Sequence, residues 1–514
     1  MKEVSFAYFG KDKLSFPLSD AIKIATAFDK NDLTSIVSNS DEISSQIVAD
    51  EIDFYINNTQ DDISQRISSV ELLYNARLIA FDLAQYFDQT QEVGNLVLVI
   101  SQEACAFLPA LQKSGFKAIV LPSDEIKSID GHLGAFEVGI LRGGEGINVK
   151  TDQIIWQKAP DGVLSRNGIY DFDGVDEAEI IAALSAKCGV YNYKNYISYN
   201  ENICQYHKRR VEICAKCADT CPTLAITKDD ESKNLIFSHI DCQGCGGCVS
   251  VCPSGALDYT QMPRAAFVEI ARLYRDKIAL IIPKKMWESL KYAQIQLPKN
   301  VLPFAIEGEK YLHEAHLITL LQESGAQVVF YTDFISVGSF DAIGMLNQVY
   351  NAKFGKDAVL TAKDKNSLQN ALREACCIKN SKYSIDESSL KKREIFSARL
   401  SHIVQNDDLG VIKSGENIHY GVVKIDESKC TLCLSCVGAC NVGALSAYEE
   451  DFSLRINNSL CTTCKYCEVT CPEKCIEVVR GDIPLCGEWF AEHTAAKDEM
   501  FECVVCKKPY ASKR

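Results

Sequence analysis

Cys430-Thr-Leu-Cys433-Leu-Ser-Cys436-Val-Gly-Ala-Cys440, followed by Cys461-Thr-Thr-Cys464-Lys-Tyr-Cys467-Glu-Val-Thr-Cys471-Pro472, is the stretch that decides how this chain is organised. Two residues between cysteines let one tight loop present three thiolates to one corner-sharing body. A fourth thiolate must come from elsewhere. In the bacterial Cys-x2-Cys-x2-Cys-x3-Cys-Pro run, that fourth cysteine ligates the other cluster of a pair. The rule assigns Cys430, Cys433, Cys436 and Cys471 to one 4Fe–4S cluster, and Cys461, Cys464, Cys467 and Cys440 to its neighbour. A proline after the last cysteine fixes φ as the chain leaves the cluster. Here Asn441 stands in that place after Cys440, a departure that should not cost a ligand.

Upstream lies a second copy: Cys204, Cys214, Cys217, Cys221-Pro222, Cys242, Cys245, Cys248 and Cys252-Pro253. Cys214 and Cys433 are 219 positions apart, and the same offset holds through to Cys252 and Cys471. Seven cysteines matched at one offset indicate an internal duplication. The crossed-ligand rule gives Cys242, Cys245, Cys248 and Cys221 one cluster. Cys214, Cys217 and Cys252 hold the other, with Cys204 as fourth ligand. The counterpart of Cys430 would be residue 211, which is Val211. Loop 205–213 is therefore expected to bulge out while Cys204 reaches the iron. His207 as the ligand, or a three-iron cluster, are the alternatives. Zinc is the competing metal for any Cys-x2-Cys pair, but four runs with crossed fourth ligands speak for iron. Gly244, Gly246, Gly247 and Gly438 are expected to let backbone N–H groups approach the sulfurs. After each fourth cysteine come Ala225-Ile226, Ala256-Leu257, Ala444-Leu445 and Cys475-Ile476. A small residue then a branched one suits a helix and strand packed beneath a cluster, so Cys475 reads as a small packing residue.

The rest of the composition is ordinary: 514 residues, 47% hydrophobic, 24% charged. That length allows several domains and a core that needs no disulfides. The 24 cysteines cluster rather than spread, which suits metal in a reducing compartment rather than a secreted disulfide scaffold. A formal charge of -15 argues against nucleic acid and anionic lipid as partners. No signal-peptide core, twin arginine or membrane-length apolar run is present, so a cytoplasmic protein without membrane insertion is expected.

Around the cysteine blocks the pattern is α/β. Strands are expected at Leu96–Ile100, Lys117–Leu121, 278–282, Val301–Ile306 and 327–331. A helix is expected over 103–113, ended by Gly115, and another carries Leu317, Leu320 and Leu321 and ends at Gly325. The fold class is thus α/β plus α+β: two bacterial-type dicluster ferredoxin modules embedded among Rossmann-like open α/β segments. The expected domains are a 1–94 N-terminal α/β region of unclear role, a 95–199 Rossmann-like segment, and a 200–262 ferredoxin-like module with two clusters. A 263–360 α/β domain, a 361–415 helical linker, a 416–480 second module with two clusters and a 481–514 cysteine-containing tail follow.

In the tail, Cys503-Val-Val-Cys506-Lys-Lys-Pro reads as a metal knuckle, with Cys486 and His493 as partners for zinc; an empty turn is the alternative. Cys105, Cys188, Cys376 and Cys377 read as packing residues. His313-Glu314-Ala315-His316 has H-E-x-H rather than zinc-protease spacing and reads as solvated or packed. There is no G-x-G-x-x-G after a strand, no P-loop, and no flavin or NAD signature. The chain is accordingly expected to be an electron carrier or redox subunit and not an enzyme.

Several stretches carry a family likeness: Cys204…Cys214-Ala-Lys-Cys217-Ala-Asp-Thr-Cys221-Pro222, Cys242-Gln-Gly-Cys245-Gly-Gly-Cys248, Leu312-His-Glu-Ala-His-Leu317, Glu323-Ser-Gly-Ala326, and Phe501-Glu-Cys-Val-Val-Cys506-Lys-Lys-Pro509. From about Leu96 to the end, the chain resembles the large bacterial polyferredoxin-like 4Fe–4S proteins often encoded beside molybdenum or tungsten formate dehydrogenases. The wide gap before the second cysteine occurs in that family too. The resemblance implies single-electron transfer to or from a partner oxidoreductase, a formate dehydrogenase. The alternatives are a non-enzymatic assembly or maturation factor for that enzyme, and an electron-input subunit of a larger one.

Overall fold

The structure is a computed structural model and describes residues 2–10, 14–30, 32–102, 107–291, 293–498 and 500–511. It forms two compact units. One comprises Met1–Gln85, Ser198–Lys216 and Cys245–Arg514, the other Tyr86–Ile197 and Cys217–Gly244. The first cysteine block contributes to both.

The first unit is built on two parallel sheets. At the amino end the strand order is Ile22–Ala25, Lys2–Phe9, Leu33–Ser38, Ser44–Val48, all parallel. The second sheet runs Val301–Ile306, Ile278–Pro283, Val328–Tyr331, Val359–Ala362, again all parallel. Its two longest strands are buried at every residue, as unbroken apolar runs covered on both faces must be. The amino-terminal region is bonded to this sheet. Gln60 N–H donates to Leu297 O, and Arg77 pairs with Glu51 and, at 2.7 Å, with Glu307. Helix Glu314–Ser324 ends at Gly325, whose φ of +66° only glycine adopts without strain.

Segment 361–415, expected as a linker, is not a spacer. Thr361 lies in the last strand of the second sheet, and Lys365–Glu374 packs beside it. Helix Lys392–Val404 is buried along most of its length. Its charges are hidden because they are partnered. Arg399 reaches Glu323 at 2.7 Å and Glu387 at 2.6 Å, and Lys392 reaches Glu314 at 3.1 Å. Paired charges are tolerated inside.

The second unit has a parallel sheet in the order Ile169–Asp171, Gln153–Trp156, Leu96–Ile100, Lys117–Leu121. An antiparallel meander of Ile126–Asp130, Phe136–Arg142 and Glu145–Thr151 follows the fourth of these strands. Of the helix expected over 103–113, Leu108–Lys113 is observed; residues 103–106, Cys105 among them, lie outside the described residues. Among the described residues no helix is long and apolar enough to cross a membrane.

Candidate metal centres

The second module is a pseudo-symmetric pair of halves. Each half has a cysteine loop, a five-residue helix and a strand. Loop 430–436 leads into helix Ser435–Ala439 and strand Leu445–Tyr448; loop 461–467 leads into helix Tyr466–Thr470 and strand Ile476–Arg480. In the first block, strands likewise begin at Ile226 and Leu257. Ala225, Ala256, Ala444 and Cys475 before them are all buried. The small-then-branched pairs are therefore the first turn into the strand beneath each loop.

Three of the four loops share one backbone device. Leu432 and Leu434 have φ of +54° and +57°, Thr463 and Lys465 +50° and +67°, and Gly244 and Gly246 +68° and +79° at the same two places. Alternating hands turn successive N–H groups to one side, making a concavity for anions such as iron-bound sulfur. A side chain in that conformation costs about 1–2 kcal/mol per residue, so its surroundings must hold it there. Gly247 and Gly438 do not serve this purpose: both sit inside the short helices without a left-handed φ.

The thiols of the second module gather in two sets. A cavity is lined by Cys430, Cys433, Cys436 and Cys471, that is, three cysteines of one loop and the fourth cysteine of the other. Burial pushes the Cys461 thiol up to about 12, and the charges of Cys464 and Cys440 add to it. Burial, then the charges of Cys461, Cys464 and Cys440, raise Cys467 as well. Cys436 rises to about 11 through burial and the charge of Cys430. Cys433, at the exposed edge, is lowered by the N–H and hydroxyl of Ser435. Bare thiolates crowded in so dry a place repel one another, and cationic iron is what would let them ionise together. An all-sulfur donor set around a cavity fits a 4Fe–4S cluster. The same cysteines also form the module's core, packed with Val423, Leu445, Leu454, Ile456, Ile476 and Val478.

Cys475, read from sequence as packing, does more. Its Sγ lies 3.5 Å from that of Cys471, and it lines the same cavity. Its alanine counterparts concealed a fifth thiol beside one cluster site.

In the first block, Cys204, Cys214, Cys245, Cys248 and Cys252 lie in the first unit. Burial pushes the Cys214 thiol up to about 11, with the charges of Cys252 and Cys204 contributing. His207 Nε2 instead lies 3.6 Å from a Glu201 carboxylate oxygen. Loop 205–213 does not bulge out at its start. Cys204, Gln205 and Tyr206 are 8%, 3% and 1% exposed. In the second unit, Cys217 lies in helix Lys216–Thr220 and Cys221 directly follows it, and Cys242 follows Asp241, whose carboxylate accepts from Asn167 N–H at 2.8 Å.

The remaining candidates separate from these sites. Cys503 and Cys506 approach each other in a turn, where backbone N–H groups of Cys506 and Val505 lower the Cys503 thiol. Cys486 precedes helix Gly487–Phe490 and His493 opens strand His493–Lys497. Among the described residues, no three His, Cys, Asp or Glu side chains form a set that could hold a single metal ion. Cys188 is exposed, and Cys376 meets Gln327 Oε1 at 3.3 Å. His313 is not solvated: its Nδ1 caps helix Glu314–Ser324, and its ring stacks on His316 at 3.9 Å.

The chain is 36% identical over 75 residues to the archaeal-type glutamate synthases (NADPH) of Thermotoga sp. (strain RQ2) and Thermotoga maritima. The likeness takes in 14% of this chain and 15% of each relative's length. It corrects the expectation of a chain set apart from enzymes, because the matched stretch is one an enzyme carries. Residues 212–256 and 422–472 each match a 4Fe–4S dicluster domain, the first beginning after Cys204. With the duplicated loops and their gathered thiols, the chain thus carries two 4Fe–4S dicluster ferredoxin domains.

Proposed function

We propose that this chain is an electron-transfer protein holding four 4Fe–4S clusters and passing single electrons to or from a partner oxidoreductase. The observation that carries the reading is the gathering of crossed thiol sets in the second module, matched in the first block at a constant offset. The proposed ligand sets are Cys204, Cys214, Cys217 and Cys252; Cys242, Cys245, Cys248 and Cys221; Cys430, Cys433, Cys436 and Cys471; and Cys461, Cys464, Cys467 and Cys440. Such clusters supply one-electron chemistry whose potential the surrounding hydrogen bonds and burial adjust. The chain's residues hold them dry at Cys436 and Cys461 and leave an edge open at Cys433, which is exposed beside Leu434. That edge is where a partner would approach. A reducing cytoplasm is the compartment these free thiols suit.

The resemblance to polyferredoxin-like proteins makes a formate dehydrogenase the first partner to test. The likeness to a stretch of an enzyme favours a second form of the same reading, an electron-transfer subunit of an enzyme complex. Anaerobic protein mixed with a formate dehydrogenase and formate is expected to bleach its visible iron–sulfur absorbance within the enzyme's turnover time. Absorbance that stays unchanged while the enzyme reduces an artificial dye would remove formate dehydrogenase as the partner.

A further inference from the structure

Two departures from the duplicated pattern meet in space. The first is the displaced ligand, Cys204 in place of residue 211. The second is Asn441, where the other three fourth cysteines are followed by proline. Asn441 Nδ2 donates to the Cys204 carbonyl at 2.9 Å. A proline there could not make that bond. The rest of the loop continues the attachment. Gln205 Nε2 donates to Thr462 Oγ1, and Arg209 donates to the Ala439 carbonyl at 2.9 Å. The Arg209 guanidinium also lies over the Tyr466 ring, 4.6 Å from its centre. These contacts on the second module fall beside Cys440, Cys461 and Cys467. Buried Arg393 also donates from Nε to the Pro253 carbonyl at 2.9 Å and from Nη1 to the Cys461 carbonyl at 3.5 Å. Lys392 donates to the Cys252 carbonyl at 2.9 Å.

Resting on the four-cluster reading, we propose that this interface is the electron route between the two modules. It joins the site of Cys204, Cys214 and Cys252 to the site of Cys440, Cys461, Cys464 and Cys467. The Cys204 carbonyl, Asn441 and Arg393 act as positioning residues that hold the two sites together in a dry, hydrogen-bonded seam. In each transfer, one electron leaves the reduced cluster of one module and enters the oxidised cluster of the other. No bond is made or broken, and a one-electron donor such as dithionite or the partner oxidoreductase replaces the electron. The widened loop between Cys204 and Cys214 is the part that makes two ferredoxin modules into one conductor, and the site of Cys430 is left as its outer end.

The test uses the whole chain, prepared anaerobically and fully reduced with dithionite. It reads the microwave power saturation of each cluster's paramagnetic signal, with Cys430→Ala and Cys440→Ala assigning the two signals of the second module. Cys204→Ala removes the cluster across the seam. It is expected to slow the relaxation of the Cys440 cluster while leaving the Cys430 cluster as in wild type. Asn441→Asp sets a carboxylate against the Cys204 carbonyl while leaving every cysteine in place. It is expected to give the same loss of fast relaxation with the iron content unchanged. Unaltered relaxation of the Cys440 cluster in Cys204→Ala, or a change at the Cys430 cluster instead, overturns the route. A wild-type iron content too low for four clusters would defeat the carrier reading itself, whereas full iron without coupling across the seam defeats only the route.

Discussion

Lys392→Met is expected to destabilise the first unit by about 3–5 kcal/mol, because it leaves a buried carboxylate without its counter-charge. Lys392 and Glu314 are both fully buried side chains, 3.1 Å apart. Glu314 also accepts from the Tyr420 hydroxyl at 3.1 Å, and Lys392 donates to the Cys252 carbonyl at 2.9 Å. Burial lowers the Lys392 pKa and the Glu314 charge opposes that, so the pair holds together only as a pair. The double variant Lys392→Met with Glu314→Leu removes both charges and is expected to recover much of the loss. Chemical unfolding of the iron-loaded protein, single and double variants side by side, reads the coupling. A single variant as stable as wild type would mean that Glu314 finds another partner or is not charged.

Removal of iron is expected to have a larger effect, confined to the ferredoxin modules. The proposed ligands are part of the second module's core: Cys436 and Cys461 lie in it among Val423, Leu445, Leu454, Ile456, Ile476 and Val478, and Cys430, Cys440, Cys467 and Cys471 pack against it. Structural metal–thiolate sites contribute on the order of 10 kcal/mol to folding, as much as a typical domain's whole stability of about 5–15 kcal/mol. Without iron, these thiols are pushed up by burial and mutual repulsion, and no cluster ties the two cysteine loops together across the core. After chelation under reducing, anaerobic conditions, amide hydrogen exchange is expected to lose protection over 421–480. The parallel sheet at 278–362, with its continuous apolar strands, keeps its protection. Protection that survives over 421–480 would show that the module folds without its clusters.

Much of this arrangement was legible in the residues. The strands at Leu96–Ile100, Lys117–Leu121 and Val301–Ile306 appear with the expected bounds, because apolar runs bounded by turns carry their own signal. The pairs from Ala225-Ile226 to Cys475-Ile476 open strands as their repetition suggested. What was hidden depends on long-range partners. Nothing local to 205–213 says that Gln205 and Arg209 reach Thr462 and Ala439. Nothing local to Lys392, Arg393 and Arg399 names the buried groups that receive their charges. Leu432, Leu434, Thr463 and Lys465 gave no sign of left-handed backbone, because only the fold around the loop imposes it. Cys475 was masked by its alanine counterparts, which share its size but not its chemistry.

The most direct measurement is metal and acid-labile sulfide content of the whole chain purified without oxygen, read together with its paramagnetic spectrum after reduction. Four cubane clusters predict sixteen irons and sixteen sulfides per chain, with interacting reduced-cluster signals. Zinc in the loops, or iron without sulfide, would contradict the account.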